Sequence, residues 1–126
     1  MNREGGMSSM FAVVVGAFLL IEGIWGLFSP IVFGVLTTNK LHAIIHIGLG
    51  ATGIWTGMKG GSRPFCIFLG ALLLAVGVLR FIPGVGELIV SILNVNHAVA
   101  YLNIAVGIVA LLVGFGSGRP RAASGR

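Results

Sequence analysis

The residues of this chain that could do chemistry lie inside strongly apolar segments. Glu22 lies well within the first of these segments, where an unpaired carboxylate costs several kcal/mol. His42 and His46 are four residues apart, so both rings fall on one face of a helix. Arg80 lies near the end of the third apolar segment, and Asn103 lies in the fourth. These five residues form the predicted polar cluster of the protein.

Glu22 is the residue that helix packing explains least, because a carboxylate inside an apolar helix has to be neutralised. Arg80 is the available cation, and its counterpart in the first half of the chain is Gly26, one helical turn beyond Glu22. A long arginine side chain that leans back along its helix reaches such a carboxylate. Two structural interpretations follow: a buried Glu22–Arg80 ion pair, or a protonated Glu22 with Arg80 extended toward water. The functional interpretation is a carboxylate that binds protons or a cationic ligand.

The histidines do not complete a metal site by themselves. His42 and His46 have the spacing of metal ligands, but a zinc site needs three or four protein ligands, and no acidic or thiol cluster completes the set. We therefore predict no metal and no cofactor. A bound haem or quinone stays an alternative in which His42, His46 and His97 take part. Asn39 and Asn96 precede helical segments and are predicted to be N-caps.

Composition assigns the chain to the membrane class. Of 126 residues, 56% are hydrophobic and 9% are charged, and the mean hydropathy is +1.06, which leaves too little polar surface to cover a soluble globule. Four apolar runs approach the roughly 20 residues that cross a hydrocarbon core. These runs are 10–28, 41–58, 65–82 and 97–115. Because they are continuously apolar, they predict an all-α, four-helix membrane domain over residues 10–115 and not a β-barrel.

Paired glycines divide the chain into two similar halves. Each apolar run carries two glycines seven residues apart, and the pairs are Gly16 and Gly23, Gly50 and Gly57, Gly70 and Gly77, and Gly107 and Gly114. Gly53 adds a GxxxG match with Gly57. The first and third pairs are 54 residues apart and the second and fourth are 57 apart, so three residues were gained at the second corner, 83–87. This register predicts two tandem, pseudo-symmetric hairpins that pack through small residues about an axis along the membrane normal.

Positive charges indicate the orientation. With four spans, the termini and the middle loop share one side. That side holds Arg3, Lys59, Arg63, Arg119, Arg121 and Arg126. Only Lys40 and Arg80 lie toward the other side, so the positive-inside rule predicts a cytoplasmic tail 1–9 and a disordered, basic tail 116–126 in a bacterial plasma membrane. The net charge of +5 fits this topology and anionic lipid, and no aromatic platform indicates nucleic acid.

A sequence motif and its partial repeat in the second half of the chain resemble those of a known protein family. The pattern Asn-x-x-His-x-x-x-His-x-x-x-Gly from Asn39 to Gly50, repeated in worn form from Asn96, resembles a family of bacterial four-helix membrane proteins known as domain of unknown function 4383. The similarity spans residues 10–115. Family members often carry another histidine where this chain has Asn103, so the resemblance does not imply a symmetric histidine site. A more distant resemblance is to DoxX-type small membrane proteins, some of which are associated with respiratory or redox complexes. Neither resemblance implies an activity.

Three functional classes stay open. We predict an integral membrane protein that is not an enzyme and acts as a structural or accessory subunit, with the lipid bilayer around it and a homo-oligomer or a larger membrane complex as its assembly. A small proton-coupled transporter that uses Glu22 is the first alternative, because the length and span number resemble the small multidrug resistance transporters. The run Trp55-Thr56-Gly57 departs from that family, whose similar run lies in the third span. The second alternative is a haem- or quinone-associated protein that uses His42 and His46. The lone Cys66 excludes dithiol redox chemistry.

Overall fold

The computed structural model describes residues 6–117, which form five helices and one short β-ladder. The helices are α1 Gly6–Phe28, α2 Lys40–Lys59, α3 Ser62–Leu79, α4 Val85–Leu93 and α5 His97–Ser117. The ladder pairs β1 Ile31–Val32 with the antiparallel β2 Leu36–Thr37. Helix α1 packs along α2, and α3 packs along α5. The ladder and α4 lie at the same end of the molecule, which we call the corner end.

Three of the described helices are long and apolar enough to cross a membrane. They are Gly6–Phe28, Ser62–Leu79 and His97–Gly116. This finding supports the prediction of a helical membrane protein. Helix α2 coincides with the predicted second span, 41–58, but its histidines, threonines and glycines make it less apolar than the other three.

Several boundaries differ from the predicted ones by a few residues. Helix α1 begins at Gly6, so the helix extends into the predicted tail 1–9. Helix α3 begins and ends three residues before the predicted span 65–82, because Gly61 at its N-cap has a left-handed conformation and turns follow Leu79. Residues 1–5 and 118–126, which include four of the predicted cytoplasmic arginines and most of the predicted C-terminal tail, lie outside the described residues.

The two corners have different structures although both are apolar. The first corner turns through Phe33 and Gly34, whose φ angles of 54° and 78° close the β-ladder. The ring of Phe33 stacks on Phe18 at 5.7 Å between centroids, which holds this unusual backbone conformation in place. The second corner has the three extra residues and forms α4. Glu87 accepts a hydrogen bond of 2.6 Å from the Gly84 backbone nitrogen and so closes the first turn of that helix.

Glycines allow the helices of each pair to approach closely. A Cβ atom on Gly16 would lie 2.7 Å from the carbonyl oxygen of Gly50, and one on Gly70 would lie 2.8 Å from that of Gly107. Both distances are shorter than real Cβ contacts, so any larger residue would push the backbones apart. These two contacts are therefore equivalent. Gly16 and Gly70 are 54 residues apart and Gly50 and Gly107 are 57 apart, the same offsets that relate the two halves of the sequence.

Two further glycine contacts obey the same register. Gly23 packs against Ala43 and Ile47, and Gly77 packs against Ala100 and Ile104. Gly57 meets Val13, and Gly114 meets Ile67. At the end opposite the corners, the hydroxyl oxygens of Ser8 and Ser62, which are also 54 residues apart, lie 3.1 Å from each other. Equivalent residues of the two halves thus make equivalent contacts along the length of the helices.

Candidate functional site

Glu22 and His46 face each other across the contact between α1 and α2. Glu22 Oε1 lies 3.5 Å from His46 Nε2, and the two side chains are 10% and 11% exposed. The position follows from the helix packing, because Gly23 contacts Ala43 and Ile47, the residues that flank His46 on α2. The carboxyl group of Glu22 is therefore in direct contact with the imidazole of His46 in the interior.

Hydrogen bonds fix the proton positions of the two histidine rings. His46 Nδ1 lies 3.1 Å from the carbonyl oxygen of His42, and His42 Nδ1 lies 3.0 Å from the carbonyl oxygen of Leu93. A carbonyl oxygen only accepts, so each Nδ1 carries the proton that it donates. In the neutral rings, both Nε2 atoms then have a free lone pair. The rings pack edge to face with centroids 4.4 Å apart.

A small cavity adjoins this pair. Its volume is about 20 Å³, more than the roughly 10–15 Å³ that one water molecule needs. Ten residues from both halves of the chain line it, namely Glu22, Val32, Leu36, Thr37, Thr38, His42, His46, Val99, Leu102 and Asn103. The site thus combines a carboxyl group, two imidazoles and an amide with an apolar wall.

Asn103 contributes a buried amide to the cavity wall. Its side chain is only 6% exposed and makes no hydrogen bond to another group among residues 6–117. A buried amide without a partner costs free energy, and such groups in native structures call for an explanation. Asn103 and the free Nε2 of His42 therefore leave the site with unused hydrogen-bonding capacity.

The ion pair between Glu22 and Arg80, one of the two structural interpretations of the sequence, is not formed in the structure. Arg80 is the C-cap residue of α3, and its Nε donates a 2.7 Å hydrogen bond to the carbonyl oxygen of Val95, just before α5. Glu22 instead faces α2, where His46 lies. The reason is the pairing of the helices. Helix α3 packs along α5, so Arg80 at the C-terminal end of α3 lies next to Val95, just before α5 begins. Arg80 is the one residue of the predicted cluster that does not line the cavity.

His97 lies apart from the other two histidines. Its ring is exposed at the start of α5 and stacks on Phe81, with centroids 5.2 Å apart. A cavity of about 20 Å³ has no room for a porphyrin or a quinone ring, so the site lends no support to the haem or quinone alternative.

The two predicted N-caps have the expected geometry. The Asn39 side-chain oxygen accepts from the His42 backbone nitrogen at 2.9 Å, and that of Asn96 accepts from the Val99 nitrogen at the same distance. Both residues also do something that the sequence did not indicate. Each amide nitrogen donates a 2.8 Å hydrogen bond to the opposite corner, from Asn39 to Ile92 and from Asn96 to Val35.

Further hydrogen bonds join the corners directly above the cavity. The Thr37 hydroxyl donates to the carbonyl oxygen of Asn94 at 2.7 Å and accepts from the Asn96 backbone nitrogen at 3.0 Å. The amide of Asn94 donates to the carbonyl oxygen of Thr38 at 2.8 Å. Sequence reasoning missed these corner residues because they are ordinary turn residues, and only the fold brings them beside His42.

A larger groove opens at the corner end, next to the cavity. It encloses about 510 Å³ between the first corner and α4 and is lined in part by Pro30, Lys40 and Ser91. Thr38 lines both the groove and the cavity. Away from the corner end, the core is closed by buried apolar side chains that include Leu19, Leu69 and Leu73. The site therefore lies nearer to the corner end than to the opposite end.

Comparison with known proteins agrees with the resemblance of the motif. The family model described as Domain of unknown function (DUF4383) matches residues 9–116. The chain matches neither a curated protein nor a solved structure. The predicted family is thereby confirmed, whereas the more distant DoxX-like resemblance stays a prediction.

Proposed function

We propose that this chain, which belongs to the DUF4383 family, is a multi-pass membrane protein that acts without catalysis as a structural or accessory subunit. The observation that carries the proposal is the distribution of side chains. The glycine contacts use the inner faces of the helices, while large apolar side chains such as Val14, Trp55 and Leu112 remain exposed on the outer faces. In a bilayer, such faces contact lipid or another membrane helix. The family name brings no activity with it.

Four membrane-crossing helices in two hairpins account best for the packing. The close contacts of α2 along α1 run from Gly57 near one end to Ala43 near the other, so α2 has to return through any membrane that α1 crosses. The two histidines of α2, which lower its hydropathy, are buried in the interior. The exposed Thr52 hydroxyl donates to the carbonyl oxygen of Gly48 within the helix. The equivalent glycine and serine contacts of the two halves support an origin by internal duplication, with an axis along the membrane normal.

The charges support cytoplasmic termini in a bacterial plasma membrane. Lys59 and Arg63 flank the turn between α2 and α3, whereas Lys40 and Arg80 lie at the corner end. Single cysteines at Lys59 and Ser91, in a Cys66→Ser background, test this topology with a membrane-impermeant maleimide on intact cells. We expect labelling at Ser91→Cys only, and labelling at Lys59→Cys after permeabilisation. The reverse pattern would contradict the proposed orientation.

The accessory role is tested by purification of the full-length protein from native membranes in mild detergent. We expect a second membrane protein, or further copies of the same chain, to co-purify in a fixed ratio that mass spectrometry and cross-linking in intact membranes both detect. A monomer that carries only lipid in both measurements would overturn the proposal.

A second candidate function is proton-coupled transport through Glu22. The position of Glu22 opposite His46 supports it, since carboxylate and histidine chains carry protons in many transporters. The cavity has no room for a drug-sized cation, so the proton is the species that this site would handle. Purified protein in liposomes with an internal pH dye tests the candidate. Proton flux that is lost in Glu22→Gln and kept in Glu87→Gln would support the candidate. Equal flux in the wild-type protein and in both variants would reject it.

A further inference from the structure

We propose that Glu22, His42, His46 and Asn103 form a binding site for one water-sized protonated cation, ammonium, that enters from the corner end. The proposal goes beyond both candidate functions, because it names a guest other than the proton. It does not require transport, because binding without flux would leave the site intact and reject only the transporter.

The first argument is the arrangement of hydrogen-bond acceptors. Because both Nδ1 atoms donate to backbone carbonyl oxygens, the Nε2 atoms of His42 and His46 present lone pairs. Glu22 adds carboxyl oxygens, and the buried amide of Asn103 adds a carbonyl oxygen. Four lining side chains thus present acceptor atoms around a volume of about 20 Å³, so a guest that only donates hydrogen bonds fits them best.

The second argument is charge. On α1 the cavity is faced by Glu22, and on α2 by the two histidines. The lining residues of α5 and of the first corner are apolar, amide or hydroxyl side chains, and α4 contributes only the Leu93 carbonyl oxygen. Arg80 is bound to the carbonyl oxygen of Val95. Lys40 lines the adjacent groove and not the cavity. A carboxylate in a membrane interior requires a positive partner, and a protonated guest supplies one.

The third argument is the exclusion of other small guests. Water donates two hydrogen bonds and ammonium four, so ammonium matches the acceptors better than water does. Hydronium would transfer its proton to an imidazole or to the carboxylate and would not persist as a guest. Hard metal cations prefer oxygen ligands, whereas two of these acceptors are imidazole nitrogens. Among residues 6–117, no group of three His, Cys, Asp or Glu side chains is arranged to hold a metal ion.

The fourth argument is access. Thr38 separates the cavity from the groove at the corner end and lines both of them. In the other direction, Leu19, Leu69 and Leu73 are almost completely buried and close the interior. A guest therefore exchanges past Thr38 with the side of the membrane on which the corners lie.

The test uses the full-length protein in micelles with 15N-labelled histidine. Ammonium chloride is added at constant pH and ionic strength in exchange for potassium chloride. We expect saturable shifts of the Nε2 resonances of His42 and His46, with no shift of His97, which lies outside the site. Methylammonium should bind about tenfold or more weakly, because one extra methyl group does not fit the cavity. Glu22→Gln should abolish the response, and Glu87→Gln, which alters a carboxylate at the cap of α4, should leave it unchanged.

A second variant keeps the test decisive if Glu22→Gln fails to fold. Asn103→Leu removes an amide that lines the cavity, so it should weaken the ammonium response of both histidines, and Glu87→Gln should not. Two results would overturn the proposal: equal shifts with potassium and ammonium in the wild-type protein, or no ammonium response in the wild-type protein.

Discussion

Asn39 and Asn96 make the same pair of hydrogen bonds in opposite directions across the corner end. Each caps its own helix with the side-chain oxygen and donates its amide to the other corner, to Ile92 and Val35 respectively. The donors are 57 residues apart, and so are the two acceptors. These residues therefore join the two halves of the protein at one end of a scaffold that the glycine contacts make alike.

This reciprocity predicts equal losses for the two asparagines. Asn39→Ala and Asn96→Ala should each lower the free energy of unfolding by about 1–2 kcal/mol, because each removes one N-cap and one bond to the opposite corner. Unfolding by denaturing detergent, followed by circular dichroism, measures the effect. Ser91→Ala, an exposed change on α4, is the control. A loss in one asparagine variant only would show that the two bonds are not equivalent.

The glycine contacts predict that a Gly→Ala substitution has opposite effects at packed and at open positions. Gly16→Ala and Gly70→Ala should each destabilise the protein by about 1–3 kcal/mol, because the added methyl group would overlap the backbone of the neighbouring helix. Gly48→Ala should stabilise it by about 0.5–1 kcal/mol, since a Cβ there meets nothing within 4 Å and alanine favours the helix. Thermal unfolding in detergent separates the three variants. Neutral behaviour of Gly16→Ala and Gly70→Ala would contradict the close packing.

The partner of Glu22 is tested by double-mutant cycles. Glu22→Gln combined with His46→Gln should show a coupling energy of about 0.5–3 kcal/mol, as expected for residues in contact. Glu22→Gln combined with Arg80→Gln should be additive within about 0.5 kcal/mol, because Arg80 bonds to Val95 instead. For the same reason, exchanging Glu22 and Arg80 should rescue nothing. A coupling energy between Glu22 and Arg80, with none between Glu22 and His46, would contradict the structure and indicate a Glu22–Arg80 ion pair.

The Thr37 hydroxyl predicts a specific weakness of the first corner. Thr37→Val keeps the shape of the side chain but removes its hydrogen bonds to Asn94 and Asn96, and should cost about 1–3 kcal/mol because those backbone groups are partly buried. Hydrogen exchange should show faster exchange at the Asn96 amide in this variant. Thr52→Val is the matched control, since the Thr52 hydroxyl bonds only to the preceding turn of its own exposed helix face. Equal exchange at Asn96 in both variants would reject this role of Thr37.

The spacing of glycines in a sequence is more informative about helix packing than the charges of polar residues are about their partners. Glycine spacing is directly tied to how closely helices approach, so the offsets of 54 and 57 residues identified which residues are equivalent. Formal charge favours Arg80 as the partner of Glu22. In the structure, the packing of Gly23 against Ala43 and Ile47 instead places Glu22 opposite His46. The structures of the corners could not be predicted, because both are short apolar runs and only the extra residues around Gly84 allow the second to form a helix.

The contact between Glu22 and His46 is the central claim, because the site, the rejected ion pair and the proposed guest all depend on it. Solid-state NMR in lipid bilayers measures it directly in the full-length protein, with 13C-labelled glutamate and 15N-labelled histidine and arginine. We predict a dipolar contact between the Glu22 carboxyl carbon and His46 Nε2 that disappears in Glu22→Gln prepared with the same labels. A contact of Glu22 with the guanidinium of Arg80, and none with His46, would contradict the account.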